Sequence, residues 1–304
     1  MSDQPRRFEG QRALRWSIAS AVALVVVLLG TGFYLVSDDS PLRAGAGSGS
    51  APLASYKPAD RHALVVSPAD PGTLIFGHHQ GLLVSRNGGG TWKPLRGAAA
   101  QDVLGIALGS GSRAAYAAAH DVLLSSDDGG ETWSSTFPVR LGGDVHGVAA
   151  SPSRPETFYA LLADALLYRS DDAGRSWQEA GQPPAAAVTL VASASPTGDI
   201  LFATTVGAAA VRSRDGGRTW ETVGELVGAI SIGAARETVV VGARNAVIIS
   251  RDSGVTWERR AFPRTAALVA VAPSDPRVLY AVTERSEVWS SVDAGTTWQL
   301  ARRP

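Results

Sequence analysis

The amino-acid sequence predicts an all-β fold built from six similar repeats of four strands each. One short motif, Ser-x-Asp/Asn-x-Gly-x-Thr/Ser-Trp, recurs six times, and its copies end at Trp92, Trp133, Trp177, Trp220, Trp257 and Trp298. The tryptophans are 41, 44, 43, 37 and 41 residues apart, a period typical of proteins with one supersecondary unit per repeat. Four short strand-like runs fill each repeat. We therefore expect a six-bladed β-propeller with four-stranded blades over residues 60–304.

The motif has the chemistry of a tight turn between the third and fourth strands of a repeat. Its third position is acidic or an amide, at Asn87, Asp128, Asp172, Asp215, Asp252 and Asp293. Such side chains hydrogen-bond to the backbone of turns, and the glycine that follows adopts a positive φ without steric cost. The tryptophan adds a large apolar surface for packing. We interpret these residues as structural rather than catalytic.

With this spacing, the motif resembles the Asp-box, or BNR repeat, of β-propellers. The resemblance covers residues 60–304, with Asn87 and Ser176 as mild departures. Asp-boxes occur in sialidases, sortilin-like receptors, xyloglucan-cleaving hydrolases, photosystem II stability/assembly factors and exported bacterial proteins described as glycosyl hydrolase-like. The resemblance implies a propeller whose ligand site lies on the face opposite the motif turns.

The N-terminal region predicts a membrane anchor. Residues 16–36 are uncharged and mostly apolar, long enough for a transmembrane helix. Arginines in residues 1–15 place that segment in the cytoplasm and the propeller in the periplasm or outside the cell, anchored in a bacterial inner or plasma membrane. Residues 37–59 are rich in Gly, Ser and Pro and predict a flexible linker. A cleaved signal peptide is the alternative.

Composition narrows the function classes. The formal net charge is zero and there is no cysteine, which excludes disulfides and a cysteine-linked lipid anchor. The propeller region contains no basic run interleaved with aromatic residues, so we expect no nucleic-acid partner. No cofactor motif is present, and none is predicted.

Candidate functional residues lie at the strand ends opposite the motif turns. They are His62, His78, His79, His120, His146, Asp164, Arg244 and Arg285. Asp60 and Asp144 each precede a histidine by two residues where a first strand begins, and Asp102 stands at the equivalent place in the second repeat. Histidine and carboxylate suit Zn or Cu, and arginine suits planar anions. A solvated rim of turn residues is the alternative, and no ligand spacing selects a metal.

Two function classes remain open. The first is a non-enzymatic, membrane-anchored scaffold that binds a protein partner or serves as an assembly or stability subunit of a membrane complex. The second is a glycoside hydrolase or glycan-binding protein, which would need two carboxyl groups about 5–10 Å apart. Asp60, Asp144 and Asp164 are the candidate acids. The sequence lacks the Arg-Ile-Pro motif typical of sialidases, and the binding role is favoured.

Overall fold

The computed structural model describes residues 50–301 apart from 59, 99–100, 112, 121, 137–140 and 142–143. Its strands follow the chain as antiparallel meanders, with 22 strands and two short 3₁₀ helices, Leu53–Tyr56 and Gly224–Leu226, in the described part. The first repeat contains β1 (Ala63–Val66), β2 (Leu74–His78), β3 (Gly81–Ser85) and β4 (Lys93–Pro94). The second contains β5 (Val103–Leu108), β6 (Ala115–Ala119), β7 (Val122–Ser126) and β8 (Ser134–Thr136).

The later repeats continue the same pattern. The third contains β9 (Val145–Ala150), β10 (Phe158–Leu162), β11 (Leu167–Ser170) and β12 (Gln178–Gly181), and the fourth contains β13 (Val191–Ser195), β14 (Gly198–Thr204), β15 (Ala210–Ser213) and β16 (Glu221–Val223). The last two contain β17 (Ser231–Ala235), β18 (Thr238–Ser250), β19 (Glu258–Val271), β20 (Leu279–Thr283), β21 (Val288–Ser291) and β22 (Gln299–Leu300). The β-propeller prediction is confirmed at this level.

The number of separate sheets differs from the prediction. The described strands form five hydrogen-bonded sheets, four with four strands and one with six, so the prediction of a six-bladed propeller with four-stranded blades was wrong. The last two repeats share the sheet β17–β22 because β19 continues without a break from Glu258 to Val271. Its first half pairs with β18 and its second half pairs with β20.

Strand β18 takes the places of both the second and the third strand of its repeat. Residues 238–242 pair with β17 and residues 246–249 pair with β19. Asn245, between these halves, has a φ of 53°, a conformation typical of tight hairpin turns. One core cluster receives Val239, Val241, Ala243, Ala246 and Ile248. The alternation of inward side chains therefore inverts around residues 244–245, as it does when a strand folds back on itself.

The glycines of the motif bring neighbouring repeats into close contact. Gly130 has a φ of +92°, and a Cβ there would lie 2.8 Å from Cδ1 of Ile75 in the preceding repeat. The first repeat packs in the same way on the last, because a Cβ at Gly89 would overlap with Val288. Tyr280 in the last repeat donates a hydrogen bond to the carbonyl of Pro71 at 2.8 Å. The order of these contacts is cyclic, which is the arrangement a propeller requires.

The predicted anchor lies outside the described residues. The chain divides into two units, residues 1–47 and 48–304, and every described residue belongs to the second. The predicted cytoplasmic segment 1–15 and transmembrane helix 16–36 fall in the first unit. Among the residues that the structure describes, no helix is both long and apolar enough to span a membrane.

The predicted linker, residues 37–59, extends too far. Ala51 forms a β-bridge with Trp92, and Tyr56 donates a hydrogen bond to the carbonyl of Trp92 at 2.6 Å. Leu53 is buried in the core formed by the first and last repeats. The composition of this stretch suggested a tether, but two apolar side chains within it fix residues 51–56 to the first repeat.

Candidate functional site

The motif turns use most of their polar atoms internally. In the second repeat, Ser126 Oγ donates to Asp128 Oδ1 at 2.7 Å and accepts from the Gly130 amide at 2.9 Å. Thr132 donates its amide to Asp128 Oδ1 at 2.9 Å and its hydroxyl to Oδ2 at 2.6 Å. The same four bonds recur around Asp172, Asp215, Asp252 and Asp293. These bonds account for the motif as a turn.

The same bonds keep the motif aspartates ionised. Hydrogen bonds from Ser176 are the largest cause that lowers the pKa of Asp172 to about 2. Those from Thr297 lower the pKa of Asp293 to about 2 in the same way. A carboxylate that holds no proton at neutral pH and is engaged at both oxygens is poorly suited to general acid chemistry.

A cluster of histidines and aspartates lies on the opposite side, where first strands begin and second strands end. We call it the His/Asp cluster, and it consists of Asp60, His62, His79, Asp102, His120, Asp144 and His146. All seven belong to the first three repeats. Antiparallel pairing brings the start of a first strand next to the end of a second strand, which explains why residues distant in sequence meet here.

Asp102 is the centre of the cluster. Its Oδ1 lies 3.2 Å from Nε2 of His62, and its Oδ2 lies 2.7 Å from Nδ1 of His79. The other ring nitrogen of His79, Nε2, lies 2.7 Å from Oδ2 of Asp60. His62 and Asp102 thus lie where β1 and β5 begin, and His79 lies in the turn between β2 and β3. Both oxygens of Asp102 face imidazole nitrogens.

His120 joins the two halves of the cluster. Its Nε2 lies 3.4 Å from Oδ2 of Asp102, and its Nδ1 is hydrogen-bonded to Oδ2 of Asp144 at 3.1 Å. The same oxygen of Asp144 is hydrogen-bonded to Nε2 of His146 at 3.0 Å. The imidazoles pack edge to face, with ring centroids 5.2 Å apart for His62 and His79 and 5.7 Å apart for His120 and His146.

The surroundings of the cluster shift the pKa values of His62 and Asp144. Burial lowers the pKa of His62, and the negative charge of Asp102 opposes that shift only in part. Burial raises the pKa of Asp144, but hydrogen bonds from His146 and His120 outweigh it and bring the pKa down to about 2. At neutral pH, His62 therefore stays neutral and Asp144 stays ionised, so Asp144 is a poor general acid.

Most of the candidates predicted from the sequence on the first three repeats lie in this cluster, but His78 and Asp164 do not. The side chain of His78 is 4% exposed and packs beside Phe76, with ring centroids 5.8 Å apart. Successive residues of a strand point to opposite sides, so His78 and His79 cannot share one surface. Asp164 is exposed in the turn after β10, where its Oδ1 accepts the Leu166 amide at 3.3 Å.

Sequence analysis noted the position of Asp102 but did not select it as a candidate. It stands at the entry to the first strand of the second repeat, equivalent to Asp60 and Asp144. Those two residues were selected because each precedes a histidine by two positions, and Leu104 follows Asp102 instead. Comparison of the same position across repeats was the signal that could have identified it.

The last two repeats present arginines on the same side. Arg244 and Arg285 are at the turn positions that correspond to those of His79 and His120, and Arg244 and Arg285 are exposed there. Arg264 lies 3.8 Å from the Glu287 carboxylate. In the described part of the chain, neither Arg244 nor Arg285 has an acidic side chain within ion-pair distance. Their guanidinium groups are available to an anionic partner.

Two exposed apolar residues lie in the sequence between the repeats that contain the histidines and the repeats that contain Arg244 and Arg285. Val227 and Ile230 are 77% and 44% exposed, and they precede β17 on the side opposite the motif turns. The Gly228 amide bonds to the carbonyl of Ala208 at 2.8 Å, and the Ile230 amide bonds to that of Gly242 at 2.8 Å. We call Val227 and Ile230 the apolar pair.

Comparison with solved structures supports the fold. No known family profile and no curated protein sequence matches this chain. A structure of YCF48 bound to D1 peptide is 18% identical, with a TM-score of 0.50 over 79% of this chain and 81% of that one. A chain in a nidogen/laminin complex has a TM-score of 0.60 at 10% identity, covering 76% of this chain and 93% of that one.

A glycoside hydrolase is also similar in structure. The GH74 xyloglucanase from Xanthomonas campestris has a TM-score of 0.51 at 20% identity, and the match covers 78% of this chain but 44% of that one. At these identities, the similarities show a shared β-propeller fold and no shared activity.

Proposed function

We propose that this chain is a six-repeat propeller of the Asp-box type that binds a protein partner through the side opposite its motif turns. In this proposal, residues 16–36 anchor it in a bacterial inner or plasma membrane, with the propeller outside the cytoplasm. It acts there as a scaffold, or as an assembly or stability subunit of a membrane complex. The observation that carries the proposal is the apolar pair, which lies on the same side as two arginines without acidic partners among the described residues.

The composition of this side suits a protein surface. The cores of protein interfaces are more apolar than the remaining protein surface and are enriched in arginine. Val227 is largely exposed, and Arg244 lies in the strand that follows the apolar pair and β17. An apolar anchor on the same side as an available cation fits a partner segment that carries an apolar side chain and a carboxylate.

Structural neighbours are in line with this role. One neighbour, YCF48, was solved with a bound D1 peptide, and another belongs to a complex of nidogen with laminin. Their identities to this chain are 18% and 10%, so they support protein binding as a use of the fold and identify no partner for this chain.

The glycan alternative has less support. A hydrolase needs one protonated carboxyl group as its acid, yet Asp144 has a pKa of about 2. Asp60 lies 2.7 Å from His79, and Asp164 lies in a separate turn. Similarity to a xyloglucanase of low identity is evidence for the fold alone.

The proposal is tested with two matched pairs of variants. Val227→Gln with Ile230→Gln changes the apolar pair, and Val255→Gln with Val292→Gln changes two valines of the motif turns that are 65% and 72% exposed. Each full-length chain is purified from its own membranes in mild detergent, and its partners are quantified by mass spectrometry. The proposal predicts a stoichiometric partner that the control pair retains and the test pair loses by about tenfold, the loss expected from removing a central apolar contact.

Other outcomes contradict the proposal. If no protein is recovered in stoichiometric amount, or if both pairs of variants behave alike, this surface does not bind a protein partner. Turnover of a β-glucan by the wild-type chain that disappears in Asp60→Asn or Asp144→Asn would instead establish the hydrolase alternative.

A further inference from the structure

Each half of the His/Asp cluster contains two histidines and an aspartate, which is the composition of a metal site. His62, His79 and Asp102 each offer a ligand atom, and these atoms all lie within 4.8 Å of one another. Two imidazoles and a carboxylate are a ligand set that zinc accepts, with a fourth position left for water or another ligand. The three residues come from the first two repeats, so strands that are already packed together hold them in place.

The distances agree with a shared ion. Zinc binds nitrogen and oxygen at about 2.0–2.2 Å, so two ligand atoms at tetrahedral positions lie about 3.3–3.5 Å apart. Nε2 of His62 and Oδ1 of Asp102 are 3.2 Å apart. Nδ1 of His79 is 2.7 Å from the other oxygen of Asp102, which is shorter than ligand spacing, so the exposed His79 ring would have to turn when an ion binds.

Two buried atoms of this half face each other without forming a hydrogen bond. His62 Nε2 and Asp102 Oδ1 are both buried, and neither forms a hydrogen bond within the described residues. Buried polar atoms in folded proteins nearly always have a partner. A cation bound by both atoms would satisfy them, whereas a hydrogen bond would need a better-aligned geometry over their separation of 3.2 Å.

Asp60 is placed to fix the orientation of the His79 ring. Asp60 lies 2.7 Å from Nε2 of His79, which leaves Nδ1 facing Asp102. Metal-binding histidines usually donate their second ring N–H to a carboxylate, which fixes the tautomer and the ring orientation. The cluster also brings the carboxylates of Asp60, Asp102 and Asp144 together, and a divalent cation offsets their mutual repulsion.

The other half of the cluster, which consists of His120, Asp144 and His146, differs because both of its histidines are hydrogen-bonded. His120 and His146 are both hydrogen-bonded to one oxygen of Asp144, at 3.1 and 3.0 Å. Their contacts are satisfied without an ion, so this half serves as an internal control.

We propose that His62 Nε2, His79 Nδ1 and Asp102 bind one zinc-type divalent ion, with Asp60 positioning His79. The remaining coordination position is open to water or to a side chain of a bound protein. This site does not depend on the proposed partner, because all of its ligands belong to this chain.

Zinc binding by the full-length chain tests the proposal. The purified protein is stripped with a chelator, titrated with Zn²⁺ against a chromogenic competitor at about pH 7.5, and analysed for metal content by mass spectrometry. We expect about one Zn²⁺ per chain, at micromolar affinity or tighter. His79→Ala and Asp102→Asn should each weaken binding at least about 100-fold, and Asp60→Asn should weaken it about 10- to 100-fold.

The control variant is His146→Ala, which changes the satisfied half of the cluster and should leave the affinity within about threefold of wild type, since it removes no ligand of the ion. Visible absorption of the Co²⁺ form should show a four-coordinate ion that is lost in His79→Ala. The proposal is overturned if wild type binds less than about 0.2 ion per chain, if His79→Ala binds as tightly as wild type, or if His146→Ala loses as much affinity as His79→Ala. His79 is exposed, and circular dichroism verifies that each variant is folded.

Discussion

The two sides of the propeller domain differ in how similar their residues are from repeat to repeat. On the motif side, one set of hydrogen bonds recurs from copy to copy, as around Asp128 and Asp172. On the opposite side, equivalent positions hold His79, His120, Asp164, Gly207, Arg244 and Arg285. A turn that must close the same hairpin in every repeat restricts its residues, whereas an open rim does not. The difference separates the residues that build the propeller from those that give it a specific surface.

A large-to-small change at a motif tryptophan is the strongest test of this separation. Trp133 is buried in the core between the first two repeats, and its Nε1 donates to the Gly130 carbonyl at 3.0 Å. Trp133→Ala should lower the free energy of unfolding by about 3–5 kcal/mol. Arg285→Ala, at an exposed position on the opposite side, should change it by less than about 0.5 kcal/mol. Denaturant unfolding of the full chain measures both, and equal losses would contradict the separation.

Removal of a motif hydroxyl should have a smaller effect. Ser170 is buried, donates to Asp172 Oδ1 at 2.8 Å and accepts from the Gly174 amide at 2.8 Å. Ser170→Ala leaves that amide without its partner, which should cost about 1–3 kcal/mol. Ser135→Ala, at an exposed position of β8, is the matched control and should have no measurable effect. The turn assignment fails if the two variants unfold at the same denaturant concentration.

Acid should progressively remove the stability that the ionised motif aspartates contribute. The folded-state pKa of Asp172, and likewise that of Asp215, is about 2, below the value of about 3.9 for an unfolded chain. Their stabilisation is therefore fully present above about pH 4 and is lost as the pH falls toward about 2. Denaturant midpoints measured between about pH 5 and about pH 2.5 should decline over this window.

The first repeat offers a matched variant for this pH dependence. Asn87 does not titrate, and its Nδ2 donates to Thr91 Oγ1 at 3.1 Å, the reverse of the bond direction in the other copies. Asn87→Asp should steepen the decline below about pH 4, and Asp215→Asn should make it shallower. Identical slopes in all three chains would show that the motif carboxylates do not contribute to acid unfolding.

Charge on the opposite side should have the smallest effect. Arg244→Gln with Arg285→Gln should slow association with the partner by about three- to tenfold at low salt and reduce its salt dependence. Arg175→Gln with Arg218→Gln, on the motif side, is the matched control and should leave the rate unchanged. Surface-binding kinetics at two ionic strengths distinguish the two pairs, and an equal loss in both would contradict a partner site opposite the motif turns.

The sequence predicted most reliably what depends on local spacing. The motif turns and the placement of four histidines on one side follow from short-range patterns that recur in each repeat. The continuity of β19 did not, because Pro263 within it is typical of a strand end, yet the strand continues from Glu258 to Val271. His78 was assigned to the surface although strand alternation turns it inward. Asp102 was noted but not selected, because no histidine follows it by two residues.

Site-specific photo-cross-linking tests the central claim most directly. A photoreactive amino acid is placed at Val227, opposite the motif turns, or at Val255, within a motif turn, in the full-length chain in its own cells. Both side chains are exposed, at 77% and 65%, so the two positions differ mainly in the side on which they lie. The account predicts a discrete cross-linked product from position 227 and none from position 255. A discrete product from position 255 alone would contradict it.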